Sequence, residues 1–237
     1  MKIIPSLAVL AALVAVEPVT PCLWAADEDG VAVAILYDTS GSMKQTVRNA
    51  AGGTSPKYVI ANRALVAIAR QIQSFATNAA SGTPRKIHAG LFIFSGDSAR
   101  EAVKFGPFSE AALEDWANNF SNPSGNTPLG NSLNVAARAV LNSPLVRKHV
   151  LVITDGENTA GPPPSAVMPK LKEQAAQKQT TLSVHFVAFD VAAKAFDSVK
   201  KQGATVVAAA DEKQLNTQLQ FVLQKKILLE EEEPPKK

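Results

Sequence analysis

The chain has 237 residues, of which 46% are hydrophobic and 19% charged. That is enough apolar material for one globular domain with a real core, and too ordered a composition for long disorder. The 24 Lys and Arg against 21 Asp and Glu leave a net charge of +3. With no basic cluster carrying interleaved aromatics, nucleic acid is excluded as the expected partner.

In chain order, the first element reads as a secretory signal over residues 1–25. Lys2 supplies a positive start, Ile3 to Val16 an apolar run, and Leu23-Trp24-Ala25-Ala26 the small residues for cleavage. The run is shorter than the roughly 20 apolar residues a membrane span needs. The single cysteine, Cys22, lies inside this segment. Val19-Thr20-Pro21 precede it where lipidation would require small residues, so the mature chain is expected to carry neither a disulfide nor a thiolate metal site. The expectation is a periplasmic or secreted protein that meets the membrane only through its signal before cleavage.

Val31 to Tyr37 is a continuous apolar run, as in a strand buried on both faces, and it ends in Asp38. Arg48 to Lys57, with Gly52, Gly53 and Pro56, reads as a loop. Tyr58 to Ala76 repeats Leu65, Ile68, Ile72 and Phe75 on one helical face. Ile87 to Phe94 is a second buried strand, and Glu101 to Phe108 a more polar edge strand. A short helix over Glu110 to Phe120 leads into a turn-rich segment, Ser121 to Gly125. Pro128 to Asn142 is a helix and His149 to Thr154 another apolar strand. After the rigid Gly161-Pro162-Pro163-Pro164 come a helix (Ser165 to Lys178), a strand (Leu182 to Phe189), a helix (Ala192 to Gln202) and a small-residue strand (Ala204 to Ala209). Asp211 caps a last helix running to about Leu229, with Gln214 completing a capping box. Residues 230–237 form a charged tail whose four glutamates oppose the helix macrodipole.

Strands alternating with helices predict an α/β fold: a doubly wound, mainly parallel central sheet with helices on both faces, spanning 26–229. In such sheets ligands bind outside the carboxyl ends of the strands, near a switch in strand order. Three segments fall there. Asp38-Thr39-Ser40-Gly41-Ser42 follows the first strand, with Gly41 expected to allow a sharp turn. Thr127 lies in Gly125-Asn126-Thr127-Pro128-Leu129-Gly130, and Asp155 follows the strand from His149. Each alone reads as an ordinary turn or helix cap; Thr127-Pro128 in particular has the pattern of an N-cap followed by proline. Together they offer five oxygen-bearing side chains, only two of them charged. Hard oxygens suit Mg²⁺, Mn²⁺ or Ca²⁺, and Mg²⁺ keeps waters that a carboxylate can replace.

This constellation resembles the metal-ion-dependent adhesion site of the von Willebrand factor type A family, an Asp-x-Ser-x-Ser joined by a distant Thr and a distant Asp. The resemblance covers roughly Val31 to Leu229 and is of the bacterial secreted type. It implies an intact site of Asp38, Ser40, Ser42, Thr127 and Asp155, with Asp155 able to act through water, and a dinucleotide-binding-like fold without the nucleotide. No Gly-x-Gly-x-x-Gly or Walker-type loop is present in the sequence. It further implies an exported module that captures an Asp or Glu carboxylate of a partner protein through the cation. A metal-dependent hydrolase and an assembly factor for an exported enzyme complex are the alternatives.

Catalysis is not expected. The sequence lacks Gly-x-Ser-x-Gly and His-Glu-x-x-His, and His88, His149 and His185 read as core or edge residues. Asp97 and Asp190 lie at the same rim and read as turn-stabilising residues. Met43 is balanced between rim exposure and packing. The segments Arg48 to Pro56 and Phe120 to Asn126 are expected to flank the ion and set specificity.

Overall fold

The computed structural model describes residues 28–78 and 85–229. The expected signal at 1–25 and the tail at 230–237 lie outside the described residues. The strands are β1 (Glu28–Tyr37), β2 (Thr46–Arg48), β3 (Thr54–Pro56), β4 (Ile87–Ser95), β5 (Ser98–Pro107), β6 (Leu145–Thr154), β7 (Leu182–Phe189) and β8 (Thr205–Ala209). The helices are α1 (Lys57–Thr77), α2 (Glu110–Asn119), α3 (Leu129–Leu141), α4 (Pro164–Gln177), α5 (Asp197–Lys201) and α6 (Glu212–Val222).

Six strands form one sheet in the order β5-β4-β1-β6-β7-β8. Every neighbouring pair is parallel except the β4–β5 hairpin. Alternate β1 residues feed two cores. Val31, Val33, Ile35 and Tyr37 pack with α1, α2 and α6, while Ala32, Ala34 and Leu36 pack with α3, α4 and α5. A strand buried on both faces has no polar side to show, which is why its sequence is an uninterrupted apolar run. This is the expected doubly wound α/β architecture. Among the described residues no helix is long and apolar enough to cross a membrane.

The switch in strand order places the site. β1 lies between β4 and β6. The chain leaves β1 towards α1 on one face and enters β6 from α3 on the other, so the crevice opens where β1 and β6 end side by side. Tyr37 pairs with Ile153, and the Asp38 amide donates to the Ile153 carbonyl at 2.9 Å.

The structure differs from the sequence expectations in several places. The segment read as a loop over 48–57 contains β3 and the last residue of β2, the two strands pairing antiparallel. Its residues are mostly polar and exposed, so no hydrophobic alternation announces it. β6 starts at Leu145, four residues before the fully apolar stretch. The helix expected over 192–202 is a 3₁₀ turn, Ala193–Phe196, followed by the short α5. The last helix passes at Val222 into a π-helical stretch, Leu223–Leu228. At its start, Asp211 accepts from the Gln214 amide at 2.8 Å, and Gln214 reaches back to the Ala210 amide rather than to that of Asp211.

Candidate metal centre

Asp38, the first residue after β1, is completely buried. Its Oδ1 accepts from the Ser40 amide at 2.8 Å, and its Oδ2 from the Thr154 hydroxyl at 2.6 Å. Both donors are neutral, and among the described residues no lysine or arginine pairs with Asp38. Burial, and then the nearby Asp155 charge, push its carboxyl up to about 6, against the opposing hydrogen bonds from Ser40 and Thr154. This is a buried carboxylate short of positive charge.

A chain of oxygens runs outward from it. The Ser40 and Ser42 hydroxyls are 2.9 Å apart, and Ser42 donates to Asp155 Oδ1 at 2.7 Å. Ser40 is buried, Ser42 half-buried and Gly41 exposed, so the cluster is closed beneath and open above. The 3₁₀ turn Gly41–Lys44 follows, with Met43 fully buried in the core beside α1. Packing therefore accounts for Met43, and Lys44 is the exposed residue of the pair.

Thr127 is buried, and its hydroxyl stands at Gly156, 3.8 Å from where an added Cβ would sit. It does not cap α3. That helix begins at Leu129 with Pro128 at its N-cap and no side-chain cap. Thr127 is pinned through its main chain instead: its amide donates to Thr159 Oγ1 at 2.8 Å, and its carbonyl accepts from the Thr159 amide at 3.0 Å. The site thus draws together Asp38, Ser40, Ser42 and Asp155 by direct or one-step hydrogen bonds, with Thr127 beside Gly156, next to Asp155 in the chain.

The loop over 120–126 is fastened to the motif. Ser124 donates to the Thr39 carbonyl at 2.7 Å, and Gly41 to the Gly125 carbonyl at 3.1 Å. The conformational demand expected of Gly41 falls on Gly125, which has φ +88, a value side chains other than glycine's rarely adopt. Deeper in, the Tyr37 hydroxyl donates to Asn62 at 2.7 Å, and Asn62 to the Phe120 carbonyl at 2.8 Å. The β2–β3 pair is tied down on its own side, where the Ala50 amide donates to Glu212 Oε2 at 2.8 Å.

Lys57 was not anticipated as part of the site. It is the first residue of α1 and only 2% exposed. Its Nζ meets Asp190 Oδ2 at 2.8 Å, Gln45 Oε1 at 2.9 Å and Asp155 Oδ2 at 3.1 Å. Burial pulls the ammonium pKa down, and Asp190 followed by Asp155 more than offset it, leaving it above the ordinary lysine value. Nothing in the sequence signals this role, because the partners lie 12, 98 and 133 positions away by number. Asp190, read as a turn or cap residue, sits at φ +55 and turns its carboxylate to Lys57. The Asp97 carbonyl accepts from Asn131 at 2.8 Å, a turn contact. His88, His149 and His185 all lie in the first half of their strands, away from this rim; His149 and His185 are buried and stacked.

Among the described residues no three His, Cys, Asp or Glu side chains gather as a metal cluster. A cation here would have to be held by hydroxyls as well as carboxylates. The donor set present fits that requirement: hard oxygens, one carboxylate without a countercharge, and an opening at Gly41 and Ser42. The profile of the von Willebrand factor type A domain matches residues 32–222.

The chain belongs to the von Willebrand factor type A family. Solved structures share its fold at low identity. The PilB minor pilin from Streptococcus sanguinis superposes with a TM-score of 0.63 at 15% identity, over 83% of this chain and 61% of that one. The type V pili tip protein Mfa5 from Porphyromonas gingivalis, as its vWF domain, gives 0.57 at 12% identity, over 83% and 95%. Proximal thread matrix protein 1 from the mussel byssus, with a zinc-occupied MIDAS motif, gives 0.54 at 16%, over 83% and 48%. This chain therefore spans about three fifths of the pilin structure and about half of the byssus protein. No curated protein sequence matches the chain.

Proposed function

We propose that this protein is an exported binding module that grips a carboxylate of a partner protein through a divalent cation. Asp38, Ser40, Ser42 and Thr127 would hold the ion, with Asp155 holding the Ser42 hydroxyl. The observation that carries this reading is Asp38, a fully buried carboxylate served by neutral donors alone among the described residues, beside a hydroxyl cluster open to solvent. Such an arrangement is costly without a cation and well suited to one.

The ion proposed is Mg²⁺, with Mn²⁺ and Ca²⁺ as the other hard cations this all-oxygen donor set suits. When bound, it supplies a coordination position that an Asp or Glu of the partner can take. The protein's own residues do the rest. Thr154 and the Ser40 amide orient Asp38, and Asp155 orients Ser42. The loop over 120–126, fixed by its bonds to Thr39 and Gly41, forms one wall of the approach. The naming of relatives as a pilin, a pili tip protein and a byssus matrix protein supports both adhesion and export. It also supports a non-enzymatic role. Ser42 does donate to a carboxylate, Asp155, but the other oxygen of that carboxylate is engaged by Lys57.

Capture of a partner from an extract of the producing cell, in Mg²⁺ and in EDTA, tests the reading. Binding should be lost in EDTA and in Asp38→Ala. Equal capture under all three conditions would refute metal-dependent adhesion. Turnover of phosphate or ester substrates that requires Mg²⁺ and Asp38 would favour the hydrolase.

A further inference from the structure

Lys57 is in an unfavourable place for a lysine. It is buried at the first position of a 21-residue helix, where the positive end of the macrodipole repels a cation. Three acceptors hold it there: Gln45 just past the serine motif, Asp155 in the candidate metal centre, and Asp190 at the end of β7. Its main chain is fastened too, the Lys57 amide donating to the Gln45 carbonyl at 2.8 Å. Asp190 adopts a left-handed backbone to reach it. These groups fix the ammonium against one particular oxygen, Asp155 Oδ2.

The consequence falls on what Asp155 can offer. Its Oδ1 accepts from Ser42 at 2.7 Å, and its Oδ2 is occupied by Lys57 at 3.1 Å. A carboxylate with both oxygens engaged is not free to embrace a cation with the pair of them. That distinction separates the candidate ions. Ca²⁺ takes six to eight oxygens and favours bidentate carboxylates, whereas Mg²⁺ takes six in strict octahedral array and keeps its waters.

We propose that Lys57 is the positioning residue that makes this site discriminate against Ca²⁺ in favour of smaller octahedral ions, by holding Asp155 Oδ2 away from the ion. The inference rests on the metal-site reading above. With Lys57 removed, Asp155 regains a free oxygen and the cluster loses a buried positive charge. Ca²⁺ binding then improves more than Mg²⁺ binding. Replacing Lys57 with arginine keeps a cation on Asp155 and keeps the selectivity.

Calorimetric titration of the purified, chelator-treated protein with MgCl₂ and with CaCl₂ gives the ratio of the two dissociation constants directly. In Lys57→Met the Ca²⁺-to-Mg²⁺ ratio should fall by about tenfold, the lower end of what outer contacts contribute at metal sites. Lys57→Arg should stay near the wild type. Lys57→Ala, which removes charge, donor and bulk together, is measured alongside and should follow Lys57→Met, so the test survives if the methionine variant does not fold. A merely structural role would weaken both ions by the same factor; that result, or an unchanged ratio, overturns the proposal. If the wild type binds neither ion, the metal-site reading itself fails and this inference with it.

Discussion

Replacing Asp38 by asparagine should stabilise the metal-free protein while abolishing its response to metal. The buried carboxyl is raised from 3.8 to about 6, chiefly by burial and then by Asp155. At pH 7.5 it is ionised, and each pK unit corresponds to about 1.4 kcal/mol, so its charge costs roughly 3 kcal/mol relative to an ordinary carboxylate. Asparagine removes that charge at nearly the same volume. Its carbonyl can still accept from the Ser40 amide, and Thr154, which also lies 3.2 Å from the Gly156 carbonyl, can turn its proton there and accept from the new NH₂. The hydrogen bonds lose their charge assistance, which returns part of the gain. A net stabilisation of about 2 kcal/mol remains, or about 4–8 °C in Tm for a domain of this size. The assay is thermal unfolding by circular dichroism in EDTA and in Mg²⁺. The wild type should rise with Mg²⁺ by about 2.7 kcal/mol at a hundredfold excess over Kd, and Asp38→Asn should not move. A variant less stable than the wild type in EDTA would show that the buried charge is no liability, and the case for a cation bound at this site would collapse.

Two further perturbations probe the scaffold. Burial, with smaller contributions from neighbouring positive charge, depresses His149 to about 3 and His185 to about 4. Both are neutral when folded and take up protons near 6.5 when unfolded, so their contribution is present above that pH and lost as pH falls towards 4. Asp38 acts in the opposite sense: its folded value is raised, so metal-free protein regains stability as pH falls from about 6 to 3.8. Between pH 6 and 4 the wild type should therefore lose about 1.4 kcal/mol per pH unit in EDTA, and Asp38→Asn about twice that. Urea unfolding midpoints across this range check it, and equal slopes would contradict the assignment. Gly130→Ala would place a Cβ 2.0 Å from the Pro162 carbonyl oxygen, against a loop stiffened by consecutive prolines. The expected cost is about 1–3 kcal/mol, read as a fall in Tm, together with weaker Mg²⁺ binding because Thr127 lies just ahead of α3, on the segment that leads into it; an unchanged Tm would show that the loop yields freely.

Much of this was written locally. The apolar run of β1 announces a strand covered on both faces, and periodic Leu65, Ile68 and Ile72 announce α1, because burial imposes a period on one face. The Asp-x-Ser-x-Ser motif names its own chemistry, since its residues lie within one turn of chain and share a strand end. Thr127 and Asp155 could be expected at the rim for a different reason: both adjoin elements whose order decides which edge of the sheet they reach. The β2–β3 pair was not legible, because its exposed polar residues carry no alternation. Met43 could be judged only once the core beside α1 was seen.

What the sequence alone determined was the fold class and the kind of atoms the site offers, both set by patterns that repeat over a few residues. Tertiary structure decided their electrostatic balance. Among the described residues it set no lysine or arginine against the buried Asp38, and it brought Lys57 onto Asp155 and Asp190 from another part of the chain. The cost of a buried charge depends on every group within a few ångströms, and no local spacing encodes which distant groups those are.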